Sequence, residues 1–224
     1  MTPNNDLLIV TEATRLKQIK SQASKITDTI FDFEPYEPVI IHVTRKYKII
    51  VGVLNTWDNT YLVFVMNPEG NKERVYGDDP TKDVSFTQTL SITDTSNDNI
   101  FVIDTTNDEE FYGNVKVLGV DDIINTYSGH SAINTEHAPF TPSCLSTTPA
   151  DNVIIADTNR NALHILNASG ELITYIRTAD RGITFPRSLC IAMAGQFCIL
   201  YIGTSVGRTS KDNGKLYKLN ITGI

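Results

Sequence analysis

The sequence predicts an all-β fold of the β-propeller class, and three observations lead to this prediction. A cassette of turn residues followed by a β-branched run recurs five times along the 224 residues. With Leu7, Ile49, Ile100, Val153 and Leu200 as anchors, the intervals are 42, 51, 53 and 47 residues. Between the anchors, short apolar runs alternate with clusters of Gly, Asn and Asp, which is typical of strands and turns. Strand-rich repeats of about 40 to 50 residues correspond to propeller blades, one blade per repeat.

The first repeat begins at the position of a second blade strand, Leu7 to Val10. No inner strand precedes it, so we expect the C-terminal part of a longer propeller, truncated at its N-terminus. Glu12 to Ser24 is the only candidate for a helix, although its apolar positions are few.

Repeats two and three follow one plan, in which strands of five to seven residues are separated by polar turns. Repeat three spans Thr89 to Tyr127 with a long second turn, and a polar connection, Ser128 to Phe140, follows it. The strands predicted for repeat two are Val39 to Thr44, Ile49 to Leu54, Tyr61 to Met66 and Lys72 to Tyr76.

Repeat four is the clearest blade, and repeat five stops after three strands. The strands predicted for repeat four are Pro142 to Thr148, Val153 to Ala156, Leu163 to Leu166 and Leu172 to Arg177. Those for repeat five are Ser188 to Ala192, Phe197 to Thr204 and Leu216 to Ile221. We therefore expect one propeller domain over residues 1–224, with about five blades, the first and last incomplete, from a six-bladed ring.

Composition describes an ordinary globular protein. Hydrophobic residues make up 41% of the chain and charged residues 20%. No apolar run approaches the roughly 18 to 20 residues of a membrane span, and the N-terminus lacks the features of a signal peptide. The odd number of cysteines, three, predicts free buried thiols in a reducing compartment. We expect a cytoplasmic protein with no membrane partner and no cofactor.

The net charge of −7 is unevenly distributed. Asp58 to Glu110 contains twelve acidic and three basic residues, whereas Arg160 to the C-terminus contains eight basic and three acidic residues. Charged blade edges that avoid pairing with other chains would explain this pattern. Electrostatic selection of a partner is the alternative explanation.

Several segments resemble a known repeat family. Asn152 to Asn159, followed by Leu163 to Asn167 and Gly170, resembles the NHL repeat, which has a hydrophobic strand, an Ala-Asp-Thr/Ser-Asn turn, a further strand and an Asx-Gly turn. Together with Leu163 to Asn167, the segments Tyr127 to His130 and Pro139 to Pro142 are similar to the C-terminal propeller of mollusc tripartite-motif (TRIM-type) proteins.

The resemblance implies a target-recognition role in a protein of the ubiquitin-ligase type. Tripartite-motif proteins carry zinc-binding RING and B-box domains and a coiled coil upstream of the propeller. This sequence has no Cys-x-x-Cys pair and no heptad run, so we predict no RING, B-box or coiled coil in it. Ligase chemistry and oligomerisation would then belong to other parts of a full-length relative.

One position departs from the NHL pattern. The repeat usually has an arginine between its turn and its third strand, and this arginine pairs with the turn aspartate. In repeat four the arginine position is Ala162. We expect Asp157 to find another partner, either Arg160 or a backbone amide.

Catalytic and metal chemistry find little support in the sequence. None of the histidines, His42, His130, His137 and His164, has metal-ligand spacing, and no nucleophile or nucleotide motif is present. Some propeller hydrolases hold calcium with acidic side chains of the inner strands. The inner segments predicted here contain no acid; they are Val39 to Val43, Thr89 to Thr93, Cys144 to Thr148 and Ser188 to Ala192. We therefore predict no metal and no enzymatic activity, with a calcium-dependent hydrolase as an unfavoured alternative.

Binding residues are expected on the propeller face formed by the second turns and the blade-to-blade connections. Aromatic and arginine side chains commonly anchor protein interfaces. The single tryptophan, Trp57, lies in a polar turn, where it either faces a partner or folds back on its own blade. The candidate binding residues are Trp57, Tyr112, Arg160, Arg181, Arg187 and Arg208.

These residues favour a protein partner on one propeller face. Single-stranded RNA is the alternative, because aromatic and arginine side chains also bind unpaired bases. RNA-binding surfaces are usually strongly basic, whereas this chain has a net charge of −7. The sequence therefore predicts a non-catalytic module for target recognition.

Overall fold

The regular secondary structure of the described residues consists almost entirely of β-strands. The computed structural model describes residues 2, 4–23, 25–82, 84–106, 112–206 and 213–222. Within them lie eighteen strands and one short 3-10 helix. The strands form five sheets, in each of which neighbouring strands follow one another along the chain. The predicted all-β architecture of five blade-like sheets is confirmed.

The chain forms two compact units, Met1–Ile92 and Thr93–Ile224. The first unit contains a three-stranded and a four-stranded sheet. The first sheet consists of β1 (Leu7–Ile9), β2 (Arg15–Ile19) and β3 (Ile26–Asp32). The second consists of β4 (Glu37–Val43), β5 (Ile49–Asn55), β6 (Thr60–Met66) and β7 (Lys72–Tyr76).

The helix considered for Glu12 to Ser24 is wrong, because its centre forms strand β2. Two side chains of β2 form ion pairs with the neighbouring strand β3: Arg15 with Asp32, and Lys17 with Asp28. Residues two apart point to the same face of a strand, so both pairs lie on one side of the sheet. Pairing with β3, which follows after a connection of six residues, favours the extended conformation.

The remaining strands continue the same pattern into the second unit. The third sheet consists of β8 (Thr89–Asp94), β9 (Ile100–Thr105), β10 (Gly113–Leu118) and β11 (Ile123–Tyr127). The fourth consists of β12 (Pro142–Thr147), β13 (Val153–Asp157), β14 (Ala162–Leu166) and β15 (Leu172–Arg177), and the 3-10 helix η1 (Thr178–Arg181) follows it. The fifth consists of β16 (Pro186–Ala194), β17 (Phe197–Thr204) and β18 (Leu216–Ile221), the three strands predicted for it.

The core of the second unit lies between stacked sheets. Every residue of β13 and β14 is buried, because both faces of these middle strands are covered. Ile154 and Leu163 of the fourth sheet pack against Leu200 and Ile202 of the fifth. Burying each such side chain contributes about 1.5 to 3 kcal/mol. This packing fixes the ends of neighbouring sheets beside one another.

Two sequence expectations need correction. Strand β4 begins at Glu37 and β8 ends at Asp94, so two inner strands carry an acid at one end, where none was expected. The thiols are free, but they are not buried: Cys190 is exposed, and Cys144 and Cys198 are half-buried.

A single turn geometry recurs four times, directly before strands β1, β5, β9 and β13. In each turn, the amide of a threonine donates a hydrogen bond to the carbonyl of the residue four positions later. The carbonyl of the same threonine accepts one from the amide of the residue three positions later. The residue at the fourth position has a positive φ, between 60° and 65°. The four turns are Thr2 to Asp6, Thr44 to Lys48, Thr95 to Asn99 and Thr148 to Asn152.

Candidate binding face

Most of the predicted binding residues lie at one edge of the sheets of the second unit. At this edge β13 and β17 end, and β12, β14 and β16 begin. Asp157 pairs with Ala162 at this end of the fourth sheet, and Gly203 pairs with Leu216 in the fifth. The loops at this end are joined by the hydrogen bonds described below. We call them the loop face: residues 112–113, 128–142, 157–162, 178–187 and 204–205.

A fully buried carboxylate, Asp157, lies at the centre of the loop face. Its Oδ1 accepts a hydrogen bond from the Thr141 hydroxyl at 2.8 Å, and its Oδ2 accepts one from the Asn134 amide at 2.7 Å. His164 Nε2 lies 3.3 Å from the same Oδ2. The expectation of a backbone amide is confirmed, since Thr141 N donates at 3.3 Å. Arg160 is not the partner.

His164 extends this network to the third sheet. Its buried ring on β14 has Nδ1 2.7 Å from the hydroxyl of Tyr127, the last residue of β11. The Phe140 ring packs edge-on against His164, with 5.0 Å between centroids. Asp157 therefore has His164 as its neighbour, with Tyr127 and Phe140 around that histidine, instead of the arginine that the resemblance implies.

The network fixes the charge states of two of its members. Burial acts to raise the pKa of Asp157, but the contacts with His164, Asn134 and Thr141 outweigh it, so this pKa lies below the ordinary aspartate value. Burial and the nearby charge of Asp157 raise the pKa of Tyr127. At neutral pH the carboxylate is therefore ionised and the phenol is neutral.

A second set of hydrogen bonds joins the fourth sheet to the fifth. The Thr158 hydroxyl donates to the Pro186 carbonyl at 2.7 Å. The Asn161 side-chain oxygen accepts from the Phe185 amide at 2.6 Å, and the Asn161 carbonyl accepts from the Thr178 amide at 2.7 Å. These bonds fix the β13–β14 turn and the connection from η1 to β16 relative to each other.

Three of the predicted arginines lie on these connected loops. Arg160 is half-buried in the β13–β14 turn, and Arg181 and Arg187 are exposed at either end of the η1–β16 connection. Within the described part of the chain, no hydrogen bond or ion pair holds their guanidinium groups, and the Arg160 Nε is buried without a partner. The loop face thus presents three cationic groups for which the described residues provide no ion-pair partner.

Phe185, which the sequence analysis missed, lies between two of these arginines. Its side chain is 41% exposed, and its φ of 51° is unusual for an aromatic residue. Two hydrogen bonds hold Phe185 in place. Its backbone amide donates to the Asn161 side chain, and its carbonyl accepts from the Ser205 amide at 3.0 Å. Its position before Pro186, in a loop between two arginines, was the signal available in the sequence.

Tyr112 lies at another part of the loop face. It is half-buried and lines a shallow depression of about 380 Å³. Phe140, Asn134 and Glu136 also line this depression, which contains apolar, amide and carboxylate groups. Phe140 and Asn134 belong to the Asp157 network or touch it, so the wall of the depression is anchored in the core.

Trp57 belongs to the first unit. Its side chain is 87% exposed in the turn between β5 and β6, so the alternative in which it folds back on its own blade is wrong. The side chain of Asn55 accepts a hydrogen bond from the Trp57 amide at 3.1 Å. Arg208, the last predicted binding residue, lies outside the described residues.

Metal and membrane features can be stated for the described residues alone. Among them, no three His, Cys, Asp or Glu side chains are grouped so that they could hold a metal ion. No helix in that part of the chain is long and apolar enough to span a membrane.

No family model matches this sequence, and no curated protein matches it. Solved structures do match it. A protein of unknown function from Bacteroides caccae has a TM-score of 0.65 and 13% identity, over 98% of this chain and 75% of that chain. A luciferin-regenerating enzyme has a TM-score of 0.63 and 10% identity, over 97% and 74% of the two chains. A virginiamycin B lyase from Staphylococcus aureus has a TM-score of 0.58 and 13% identity, over 100% and 69%.

Identities this low show the fold alone. Together with the five consecutive sheets, these matches define the class: the chain has a β-propeller fold. The similar structures include two named enzymes and one protein without an assigned function.

Proposed function

We propose that this chain is a non-catalytic recognition module that binds an acidic segment of a partner protein on its loop face. The observation that carries the proposal is a set of three arginines without a described ion-pair partner, on the same connected loops as the exposed ring of Phe185. Arginine and aromatic side chains are the residue types most often found as energetic anchors of interfaces. An acidic peptide with an apolar side chain would complement both.

The fixed loops support the proposal. Binding costs free energy when flexible loops must become ordered, and this cost falls when the loops are held in advance. The hydrogen bonds of Asp157 and Asn161 hold the loops that carry Arg160 and Phe185. Little ordering would therefore be needed when a partner binds.

The family context is part of the proposal. The resemblance of Asn152 to Asn159 to the NHL repeat supports a target-binding role of the tripartite-motif type. Ubiquitin-ligase chemistry would then be supplied by domains that this sequence does not contain. A cytoplasmic location would agree with the free thiols.

Single-stranded RNA is the second candidate ligand, because exposed arginine and aromatic groups can also bind phosphates and bases. The observation in its favour is that no acid in the described part of the chain pairs with Arg160, Arg181 or Arg187. Against it stands the acidic net charge of the chain, −7. RNA binding is therefore treated as an outcome of the test.

The test selects peptides from a random dodecapeptide display library on the immobilised chain. We expect the selected peptides to be rich in Asp and Glu and to contain an aromatic or aliphatic residue. Fluorescence anisotropy measures the affinity for a selected peptide. Phe185→Ala should lower this affinity more than tenfold, and Arg160→Gln or Arg187→Gln should lower it about fivefold or more. Lys218→Gln on β18 is the control, since it removes the same charge away from the loop face.

Two results would contradict the proposal. One is a loss of affinity for the selected peptides in Lys218→Gln that is as large as the loss in Arg160→Gln. The other is tighter binding of a random RNA dodecamer than of any selected peptide, with an affinity that falls steeply with salt. Turnover of a lactone by the purified chain would contradict the non-catalytic part.

A further inference from the structure

A cavity in the first unit, away from the Trp57 turn, carries a separate inference. It lies between the first and second sheets and has a volume of about 410 Å³. Asp6 and Phe31 form part of one wall, and Tyr47 and Ile49 form part of the other. Binding sites for small molecules typically have volumes of about 300 to 1,000 Å³. The cavity therefore has the size of a small-molecule site.

The cavity wall contains a buried carboxylate without a cationic partner. Asp6 is only 8% exposed. One of its oxygens accepts a hydrogen bond from the Ser21 amide at 3.1 Å, and the other has no partner among the described residues. Asp28, a second carboxylate at the cavity, is already paired with Lys17. The second oxygen of this largely buried side chain is therefore open to a ligand in the cavity.

Tyr47 is the second unusual residue of this cavity. It occupies the positive-φ position of the recurring threonine turn, with φ of 62°. The equivalent positions of the other three turns hold Asn5, Asp98 and Asp151, residue types that tolerate this conformation. A tyrosine there is strained, and its ring, 46% exposed, lines the cavity. Strained residues of this kind cluster at ligand-binding sites.

We propose that this cavity binds a small alkylammonium ligand, that is, a primary ammonium group on a short apolar chain. The ammonium group would pair with the free oxygen of Asp6. The apolar chain would lie against Phe31 and Ile49, and the Tyr47 ring would cover the cation at the mouth of the cavity. Lys48, next to Tyr47 in the sequence, is paired with Glu73 at 2.7 Å.

The experiment compares three ligands that share one apolar chain and differ in the head group. n-Hexylamine, 1-hexanol and hexanoate are titrated into the ¹⁵N-labelled chain at neutral pH, and amide shifts are followed by NMR. We expect hexylammonium to bind at least tenfold more tightly than hexanol, and hexanoate to cause no shift at the cavity. Nα-acetyl-lysine methylamide is added as a fourth ligand, to distinguish a lysine side chain from a free amine.

Three variants locate the binding. Asp6→Asn keeps an acceptor for the Ser21 amide and should lower the affinity for hexylamine at least tenfold. Asp58→Asn removes the same charge from the turn between β5 and β6, at the other end of the second sheet, and should leave the affinity unchanged. Tyr47→Phe keeps the ring and should stay within about twofold of the wild type.

Tyr47→Asn separates a binding role from a structural one. Placing asparagine at the positive-φ position should raise the melting temperature by about 2 °C, because strain is relieved, while binding of hexylamine weakens several-fold. If Tyr47 had no part in binding, the melting temperature would rise while the affinity for hexylamine stayed unchanged, and this outcome would contradict its place over the cation. Equal affinity for the three head groups, or an unchanged affinity in Asp6→Asn, would overturn the proposal.

Discussion

At the scale of single residues, the hydroxyl of Thr148 shows how much the recurring turn contributes. Thr148 is fully buried, and its hydroxyl accepts a hydrogen bond from the Asn152 amide at 3.1 Å. Thr148→Val keeps the shape and removes this acceptor, so we expect the free energy of unfolding to fall by about 1 to 2 kcal/mol in urea denaturation. Thr148→Ser, which keeps the hydroxyl, should lose less. A valine variant as stable as the wild type would contradict this role.

The lowered pKa of Asp157 predicts how stability depends on pH. In the unfolded chain an aspartate has a pKa of about 3.9, and in the fold the Asp157 pKa is lower. The ionised carboxylate therefore stabilises the fold above pH 4, and this contribution is lost as the pH falls through the folded pKa.

Asp157→Asn tests this dependence. We expect the variant to be less stable than the wild type by about 3 kcal/mol at pH 7, because a buried charged partner of His164 is removed. The difference should become smaller at about pH 3.5, where the unfolded wild type takes up a proton. Urea denaturation at both pH values measures it, and an unchanged difference would show that the charge plays no part.

Single residues were also the hardest to predict from the sequence. Asn134 and Asp157 are 23 positions apart, and no local pattern pairs them. Phe185 was overlooked because its exposure depends on bonds to Asn161 and Ser205, in two other loops. Trp57 and the three described arginines were predicted as binding residues on the strength of their residue types and loop positions.

At the scale of elements, the sequence predicted most strands because apolar runs and turn residues mark them locally. Strands β7, β15, β17 and β18 have the predicted limits. Strand β2 was missed because its five residues are mostly polar and become a strand through pairing with β3. Local pattern therefore suffices for strands packed in the core, and fails for a strand whose stability comes from its neighbour.

Two glycines provide a matched test of how turns contact neighbouring sheets. Gly170 and Gly195 both have a positive φ, 83° and 61°, so alanine is strained at either position. At Gly170 an added Cβ would also lie 2.6 Å from Val117 Cγ2 of the third sheet, whereas at Gly195 nothing lies within 4 Å. We expect Gly195→Ala to cost about 1 kcal/mol and Gly170→Ala about 2 to 4 kcal/mol. Thermal unfolding measures both, and equal costs would contradict the contact.

At the scale of the whole molecule, the repeat period was enough to predict the fold class. It was not enough to predict a ligand, since propellers of one architecture serve many functions. The expectation of acid-free inner strands also failed at Glu37 and Asp94, because those strands extend further than their apolar centres. What the sequence could not supply was mainly contact between distant segments.

Charge across the molecule predicts how an acidic partner would approach. Residues from Arg160 onward include eight basic and three acidic side chains. The association rate of a selected acidic peptide should therefore fall about tenfold between roughly 0.05 and 0.5 M salt, while its dissociation rate changes less than about twofold. Stopped-flow fluorescence separates the two rates. A salt effect confined to dissociation would contradict steering by these charges.

The recurring threonine turn has a consequence for how such a chain could be rearranged. Because four repeats close the same hydrogen bonds around the same backbone angles, one turn should be interchangeable with another. Transplanting Thr95 to Asn99 in place of Thr44 to Lys48 would replace Tyr47 with an aspartate and leave the backbone path intact. A repeat whose turn departs from the shared form, as Tyr47 does, then marks a position where a requirement other than folding acts.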